Sequence, residues 1–529
     1  MSIRKILTVI IACVSSCASL PLAGCGTPKR SAGDVVFVIE SNPANLDPRY
    51  ATDGTTQRID RLIFDGLVVR DSQMELHGDL AASWDTPDPL TYIFHLRNGV
   101  TFNDGRQLTS RDVKATIDYM MDPANRSPKR GSFNMIASID TPDPATVIFH
   151  LKEPYASFLW NLEKSAVGIV PAGSGPEFAR NPIGSGPFRF VSQAQDDAVV
   201  LERSAPPRVA QNSVAQTLLP MHSFAAPSGM AAPSVERVTF RVVPDAIVRA
   251  LELRKGSADV EMSSLSPDMV PILAKRKELQ VTEEPGTNFA YLGANFQDPV
   301  LAKKEVRQAL AYATDRVALV KYLLHGQARL ASGILPPNHW AYDGDVHTYS
   351  YDPAQAERLL DAAGLPRGPD GVRVRLLLKV STQEQARLVG AALQDEWRKV
   401  GVALEVLPLE LATLLSDLDK GNFQLSYSIW VGANNDPDIF DLVFSSKKIP
   451  PNGRNRGRYR NPHLDELIAG IRGESNQEKR KQLCGEVQQI VAEELPYIPL
   501  WYVDVVSVHA RWLNVALTPT GDFDFLAAR

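Results

Sequence analysis

The chain has 529 residues, of which 44% are hydrophobic and 22% charged, and it carries a formal net charge of −5. That composition is ordinary for a globular protein, and the negative balance gives no electrostatic footing for a nucleic-acid partner. A chain of this length exceeds what one hydrophobic core supports, so two or more lobes are expected.

Residues 1–24 read as an export signal, with Arg4 and Lys5 as the charged start and 6–18 as the apolar stretch, ending in Leu22-Ala23-Gly24-Cys25. The apolar stretch is shorter than the roughly 20 residues a membrane-spanning helix needs. No later segment is long and charge-free enough to span a bilayer. The end of the signal looks like the bacterial lipoprotein box, whose cysteine is acylated and becomes the first residue after cleavage. This predicts lipidation at Cys25, a linker over 25–30, and a body held by its lipid on the periplasmic side of the cell envelope. Gly26 stands where many Gram-negative lipoproteins carry a retention aspartate, so the choice of membrane stays open. The signal holds Arg4 and Lys5 and no acidic residue, so its removal takes the charge from −5 to −7. Cys13 and Cys17 leave with it and Cys25 carries lipid, so Cys484 is alone and no intramolecular disulfide is possible. Within a helical pattern over 479–494 it reads as a small buried hydrophobe.

Val35-Val36-Phe37-Val38-Ile39 is a β-branched run suited to a strand buried on both faces. Turn residues from Asn42 to Pro48 end it, and a helix over 56–64 follows. Thirteen residues from Asp85 to Arg97 recur from Asp140 to Lys152 with ten identities. In each copy an acidic, proline-bearing turn is expected to launch a strand whose alternate residues, such as Tyr92, Phe94 and Leu96, share a face. His95 and His150 fall on the other face, and no third ligand stands at a recognised metal spacing, so no metal site is expected. The echo is too short to mean repeated domains. Asn98-Gly99 and Asp104-Gly105 are turn signals, and Thr109 to Asp112 cap a helix to about Met121. Residues 204–234 carry a single charge, Arg208, among many Ala, Pro and Ser. They read as an irregular insertion.

The C-terminal half alternates helices with strands. Helices are expected over 303–315, from Asp352-Pro353 to Gly364, over 383–399, and from Asn461-Pro462, with strands over 374–380 and 402–407. This is the pattern of an α/β lobe.

In order along the chain, Leu46-Asp47-Pro48, Phe64-Asp65-Gly66-Leu67, Phe102-Asn103-Asp104-Gly105, Gly184-Ser185-Gly186-Pro187-Phe188, Val306-Arg307-Gln308-Ala309-Leu310, Trp430 and Asp436-Pro437-Asp438 resemble pieces of extracellular solute-binding family 5. That family comprises the dipeptide-, oligopeptide- and nickel-binding proteins of bacterial ABC importers. The resemblance implies a mixed α/β fold of the large, three-domain periplasmic binding protein type II, with two lobes around a cleft. Domain I would comprise 31–64, 182–288 and 505–529, the β-rich domain II 65–181, and domain III 289–504. It also implies a monomer that takes a peptide or small-molecule ligand between domains I and III, closes by a hinge motion, and works with permease subunits. Gly184, Ser185 and Gly186 form the hinge candidate: the glycines permit backbone angles closed to other residues and Pro187 holds the next one. No cofactor is implied.

In peptide-binding members an aspartate three residues after the motif tryptophan pairs with the ligand's terminal ammonium. A buried ammonium needs such a partner. Here the position is Ala433. Trp430 can still supply an apolar wall, with Asn434, Asn435 and Asp436 as donors and acceptors beside it. Asp436 and Asp438 can equally cap a helix beginning near Ile439. The ligand is therefore expected to be a peptide with an unusual or blocked terminus, or a non-peptide solute such as a metal chelate. The sequence shows no Gly-x-Ser-x-Gly, no His-Glu-x-x-His, no phosphate loop and no paired-cysteine spacing, so no enzyme activity is expected and no residue is a catalytic candidate. A sensor that keeps the fold would look the same.

Overall fold

The structure, a computed structural model, describes residues 33–71, 74–164, 166–204, 235–432 and 436–524. The signal, Cys25, the linker and, apart from Ser204, the 204–234 insertion lie outside the described residues. So do Ala433, Asn434 and Asn435.

Among the described residues the largest sheet has eleven strands. Its order is Val402–Leu409, Val374–Ser381, Leu425–Trp430, Leu279–Ala294, Tyr497–Ala510, Val260–Met262, Asp34–Ile39, Arg237–Val242, Ala198–Arg203 and Phe188–Ala194, with Ala328–Leu330 added on Tyr497–Ala510. The β-branched run at 35–39 sits inside this sheet, parallel to both neighbours. Val35, Phe37 and Ile39 enter one apolar cluster and Val38 another, which is why the strand is apolar on both faces. The strands flanking the insertion, Ala198–Arg203 and Arg237–Val242, pair antiparallel with Glu202 opposite Arg237.

The helix expected over 56–64 runs from Gly54 to Ile63, two residues earlier at its start, while those expected from Asp352-Pro353 and Asn461-Pro462 start at their caps. Asp53 accepts from Thr56 N to start Gly54–Ile63, Asp352 accepts from Gln355 N to start Pro353–Ala362, and Asn461 accepts from Leu464 N to start Pro462–Gly473. Cys484 lies on Gln477–Glu494 with no exposed surface, and burial pushes its thiol up to about 12.

The sequence echo is a structural duplication of a hairpin. Ala81–Asp88 with Thr91–Leu96, and Ile136–Asp143 with Thr146–Leu151, form a four-stranded sheet in which the second strands of the two copies pair antiparallel, Ile93 against Ile148. Tyr92, Phe94 and Leu96 are buried, as their alternation predicts. The expected turn is shorter than the sequence suggests. Asp85 to Asp88 and Asp140 to Asp143 belong to the preceding strands, kinked by a register shift in each copy, and only two residues make each turn. His95 is paired with Asp85 at 3.0 Å and His150 with Asp140 at 3.1 Å, each within its own hairpin.

Leu279–Ala294 and Tyr497–Ala510 are long enough to cross between two cores. One end of the pair packs with Val38, Leu253 and Val270, and the other with Leu310, Leu378 and Trp397. Between those ends the ladder is broken: Glu284 faces Val505 but Asn288 faces Val503, so four residues advance on one strand against two on the other. Gly286 occupies this bulge because a Cβ there would lie 2.0 Å from the Val503 carbonyl oxygen.

Candidate functional site

The strand register locates the cleft. Val260–Met262 ends with Met262 opposite Ser507, on the first core's side. Leu425–Trp430 ends with Trp430 opposite Phe289, which itself faces Tyr502. Ser507 and Tyr502 are five residues apart on one strand, a separation of about 17 Å at the usual strand rise. The C-terminal ends of the strands from both halves therefore look toward each other across the bulged waist, the position at which open α/β sheets bind ligands.

A cavity of about 80 Å³ opens there. From one side it is lined by Glu261 and Ser263, from the other by Gln327 and Gln385, with Val503 and Asp504 of the crossing strand between them. Its lining carries two carboxylates, two amides and a hydroxyl, and no Lys, Arg or His. Glu261 is 1% exposed, and its Oε1 accepts from Ser264 N and Ser264 Oγ, both at 2.5 Å. Burial pushes its carboxyl up to about 7 against the opposing pull of those bonds and of Arg249 and Arg58. Asp504 accepts from Arg329 Nη2 at 2.8 Å and Nε at 2.9 Å, and burial holds its carboxyl above the usual range despite that partner. Gln327 spans the cleft, donating from Nε2 to the Pro267 carbonyl at 2.9 Å. Sequence reading passed over Glu261 and Gln385. The available signal was an acid set inside the short strand Val260–Met262, whose other residues are apolar.

Trp430 ends its strand half-buried against the cluster of Phe289, Tyr291 and Tyr497. Its neighbours Ile429 and Val431 are 37% and 63% exposed, so the end of this strand offers apolar surface. Gly432 follows with a φ of 64°, a left-handed residue that turns the chain off the sheet. Ala433, Asn434 and Asn435, expected beside the ligand, lie outside the described residues.

Asp436, expected either beside the ligand as a donor or acceptor or as part of a helix cap, has its carboxylate engaged within the protein. Its side chain is 7% exposed, and its Oδ1 accepts from Arg480 Nη2 at 2.7 Å and from the Asp438 amide at 2.9 Å, while Oδ2 accepts from Arg480 Nη1 at 3.0 Å. Ser157 Oγ makes a further short bond to Oδ1. The bond to the Asp438 amide is the Asx chemistry anticipated ahead of Ile439–Phe444.

Gly184, Ser185 and Gly186 are held tightly. Neither glycine has a positive φ, contrary to the reason the sequence suggested for them. Their role is close approach: a Cβ on Gly184 would lie 1.9 Å from the Ile63 carbonyl oxygen, and one on Gly186 would lie 2.7 Å from the Leu62 oxygen. Gly186 N donates to the Ile63 carbonyl at 2.8 Å, Gly184 O accepts from Asn103 N at 2.8 Å, and Ser185 Oγ donates to Asp65 at 2.9 Å.

Among the described residues one group brings three metal-capable atoms within 4.8 Å, Asp71, Glu75 and His77. His77 Nε2 already pairs with Asp71 at 2.9 Å, and none of the three lines the cavity.

The model of the bacterial extracellular solute-binding proteins, family 5 Middle, matches residues 75–450. The chain belongs to this family. Glutathione-binding protein GsiB of Salmonella typhimurium is 28% identical over 498 residues, covering 92% of each chain. NikZ from Campylobacter jejuni, solved in complex with Ni(L-His), superposes with a TM-score of 0.77 at 26% identity over 94% of this chain and 99% of that one. DppA from Helicobacter pylori, solved with the peptide STSA, gives a TM-score of 0.74 at 26% identity over 93% and 96%. The family 5 fold, mixed α/β and two-lobed, is thus the fold of this chain, as its ordered motifs implied. Among the described residues no helix is long and apolar enough to cross a membrane.

Proposed function

We propose that this chain is a lipid-anchored receptor of an ABC importer that captures a peptide or peptide-like solute between its lobes and hands it to the permease. The observation that carries the reading is the waist, where strand ends from two separate cores face each other over Val503 and Asp504; the cavity of about 80 Å³ there is one part of such a site, since a peptide-sized ligand needs several hundred Å³. The cavity's lining of acids, amides and a hydroxyl, with no basic group, suits a solute rich in donors. The relatives GsiB and DppA are named or solved with peptidic ligands, which supports the same class. Cys25 would carry the anchor, and import rather than sensing is favoured by the family alone.

The three-domain division is part of the proposal. One cluster draws on 67–169 with Ile183 at its edge, three lie within 289–503, and two draw on the remaining segments, with Val170 and the partly buried Phe178 the residues from 65–181 in those last two. We place the pivot of closure at the bulge over 284–288 and its partner segment 503–505, and not at Gly184 to Gly186, whose contacts clamp them to Ile63 and Asn103.

Isothermal titration of the mature protein with reduced glutathione, free-amine di- to pentapeptides, N-blocked peptides and Ni(L-His) tests the reading. One-to-one binding of glutathione or a blocked peptide is expected, with ordinary free-amine peptides weaker and strengthened by Ala433→Asp. Tight binding of free-amine peptides with no gain from Ala433→Asp would end the argument from the missing carboxylate. Binding of Ni(L-His) alone would replace peptides with a metal chelate.

A further inference from the structure

Asp436 and Asp438 form the centre of a charged cluster shared by two parts of the chain that lie far apart in sequence. Within residues 436–494, Arg480 grips Asp436 with two guanidinium nitrogens, and Arg472 Nε donates to Asp438 Oδ1 at 2.8 Å. Three consecutive residues of the hairpin-bearing unit, Tyr155, Ala156 and Ser157, then reach across. Tyr155 Oη donates to Asp438 Oδ2 at 2.6 Å, Ala156 N to the Arg472 carbonyl at 3.1 Å, and Ser157 Oγ to Asp436 while accepting from Arg480 Nη2 at 2.8 Å. The Arg472 guanidinium also lies 5.2 Å from the Tyr155 ring centroid. Tyr155 is 6% and Ser157 2% exposed, so the crossing bonds are shielded from water.

The two kinds of bond differ in what they join. Both Asp–Arg pairs lie within residues 436–480. The bonds from 155–157 join that segment to the hairpin-bearing unit, so any motion that parts the two must break them. Two of them are hydroxyl-to-carboxylate bonds, the stronger class, made in a site of low local dielectric.

We propose that Tyr155 and Ser157 are positioning residues for solute capture, a latch that holds the closed state by engaging Asp436 and Asp438 and acts through them rather than on the solute. The motion rests on the solute-binding reading. The identity of the solute does not enter it.

Nitroxides attached through thioether bonds, which a thiol does not exchange, at the exposed positions Leu90→Cys and His463→Cys report the separation of the two units by pulsed electron–electron resonance. The mature protein is measured alone and with 1 mM reduced glutathione, as wild type, Tyr155→Phe, and Tyr155→Phe/Ser157→Ala. Tyr155→Phe keeps the ring under Arg472, so the fold is preserved while the bond is lost. The ratio of open to closed populations is expected to rise about tenfold for the single variant, equivalent to about 1.4 kcal/mol, and further for the double. The glutathione off-rate should rise with it while the on-rate holds. A packing role alone would lower the melting temperature and leave both ratio and off-rate unchanged, and that result overturns the proposal. A wild type with no closed population in either condition also overturns it. If glutathione does not bind, the ligand-free distances still decide the latch, and the failure falls on the proposed solute.

Discussion

Replacing Arg480 by Met keeps most of the side-chain volume and removes the charge that neutralises Asp436. In the native protein that carboxylate accepts from Arg480 at 2.7 and 3.0 Å, from Ser157, and from the Asp438 amide at 2.9 Å, with both ionic side chains only 7% exposed. Arg480→Met leaves an anion in that site with one hydroxyl and one amide. Removing one partner of a buried pair costs about 3–5 kcal/mol, because the orphaned charge keeps its desolvation penalty. For a unit of some 200 residues this lowers the melting midpoint by about 10 °C. Replacing both partners with apolar residues, Asp436→Leu with Arg480→Met, removes the orphaned charge and should recover most of the loss, leaving mainly the unpaired Ser157 hydroxyl. Calorimetric melting of the four proteins of the cycle gives the coupling directly. If the single variant melts within 2 °C of wild type, or the double variant is no better than the single, the pair is not the buried anchor argued for here.

Gly184→Ala is expected to lose about 3 kcal/mol or more by pushing Ile63 away, whereas Gly54→Ala, with nothing within 4 Å, is neutral or slightly stabilising; equal melting temperatures would refute the close-approach role. Glu261 has a folded-state carboxyl raised to about 7 from 4.5, so the folded protein holds its proton more tightly than the unfolded one. Its contribution to stability is full below pH ~4.5 and lost as pH rises through about 7, amounting to roughly 3 kcal/mol at 1.36 kcal/mol per unit. Glu261→Gln keeps the acceptor for Ser264 and should flatten the melting temperature between pH 5 and 7; a profile parallel to wild type contradicts this. The Cys484 thiol, buried and raised to about 12, should not react with a disulfide reagent at pH 8 until the protein unfolds.

Local signals in the sequence were reliable wherever the deciding atoms are close along the chain. Asp352 before Pro353 and Asn461 before Pro462 each start a helix because cap and first turn are adjacent. The thirteen-residue echo became two hairpins because alternation alone says which face is buried. The waist was not legible. Glu284 meets Val505 and Asn288 meets Val503 across more than 200 positions, and Gly286 matters only because Val503 passes beside it. The glycines at 184 and 186 could be seen as special, but their reason, the Ile63 and Leu62 carbonyls, lies about 120 residues earlier. Asp436 was recognisable as a motif residue, yet its partners Arg480 and Ser157 are 44 and 279 positions away. Single-sequence reasoning offered ligand binding or capping for it, and the geometry adds a buried ion pair that neither anticipates.

The waist cleft is proposed to hold a peptide-like solute. Native mass spectrometry of the mature protein purified from its own host tests this most directly, since a closed cleft retains its cargo through gentle purification. A one-to-one complex is expected, whose extra mass is released on unfolding and fragments as a peptide or blocked peptide. A released solute with no peptide bond would contradict the claim, as would a protein found only at its bare mass that also fails to bind every peptide offered to it.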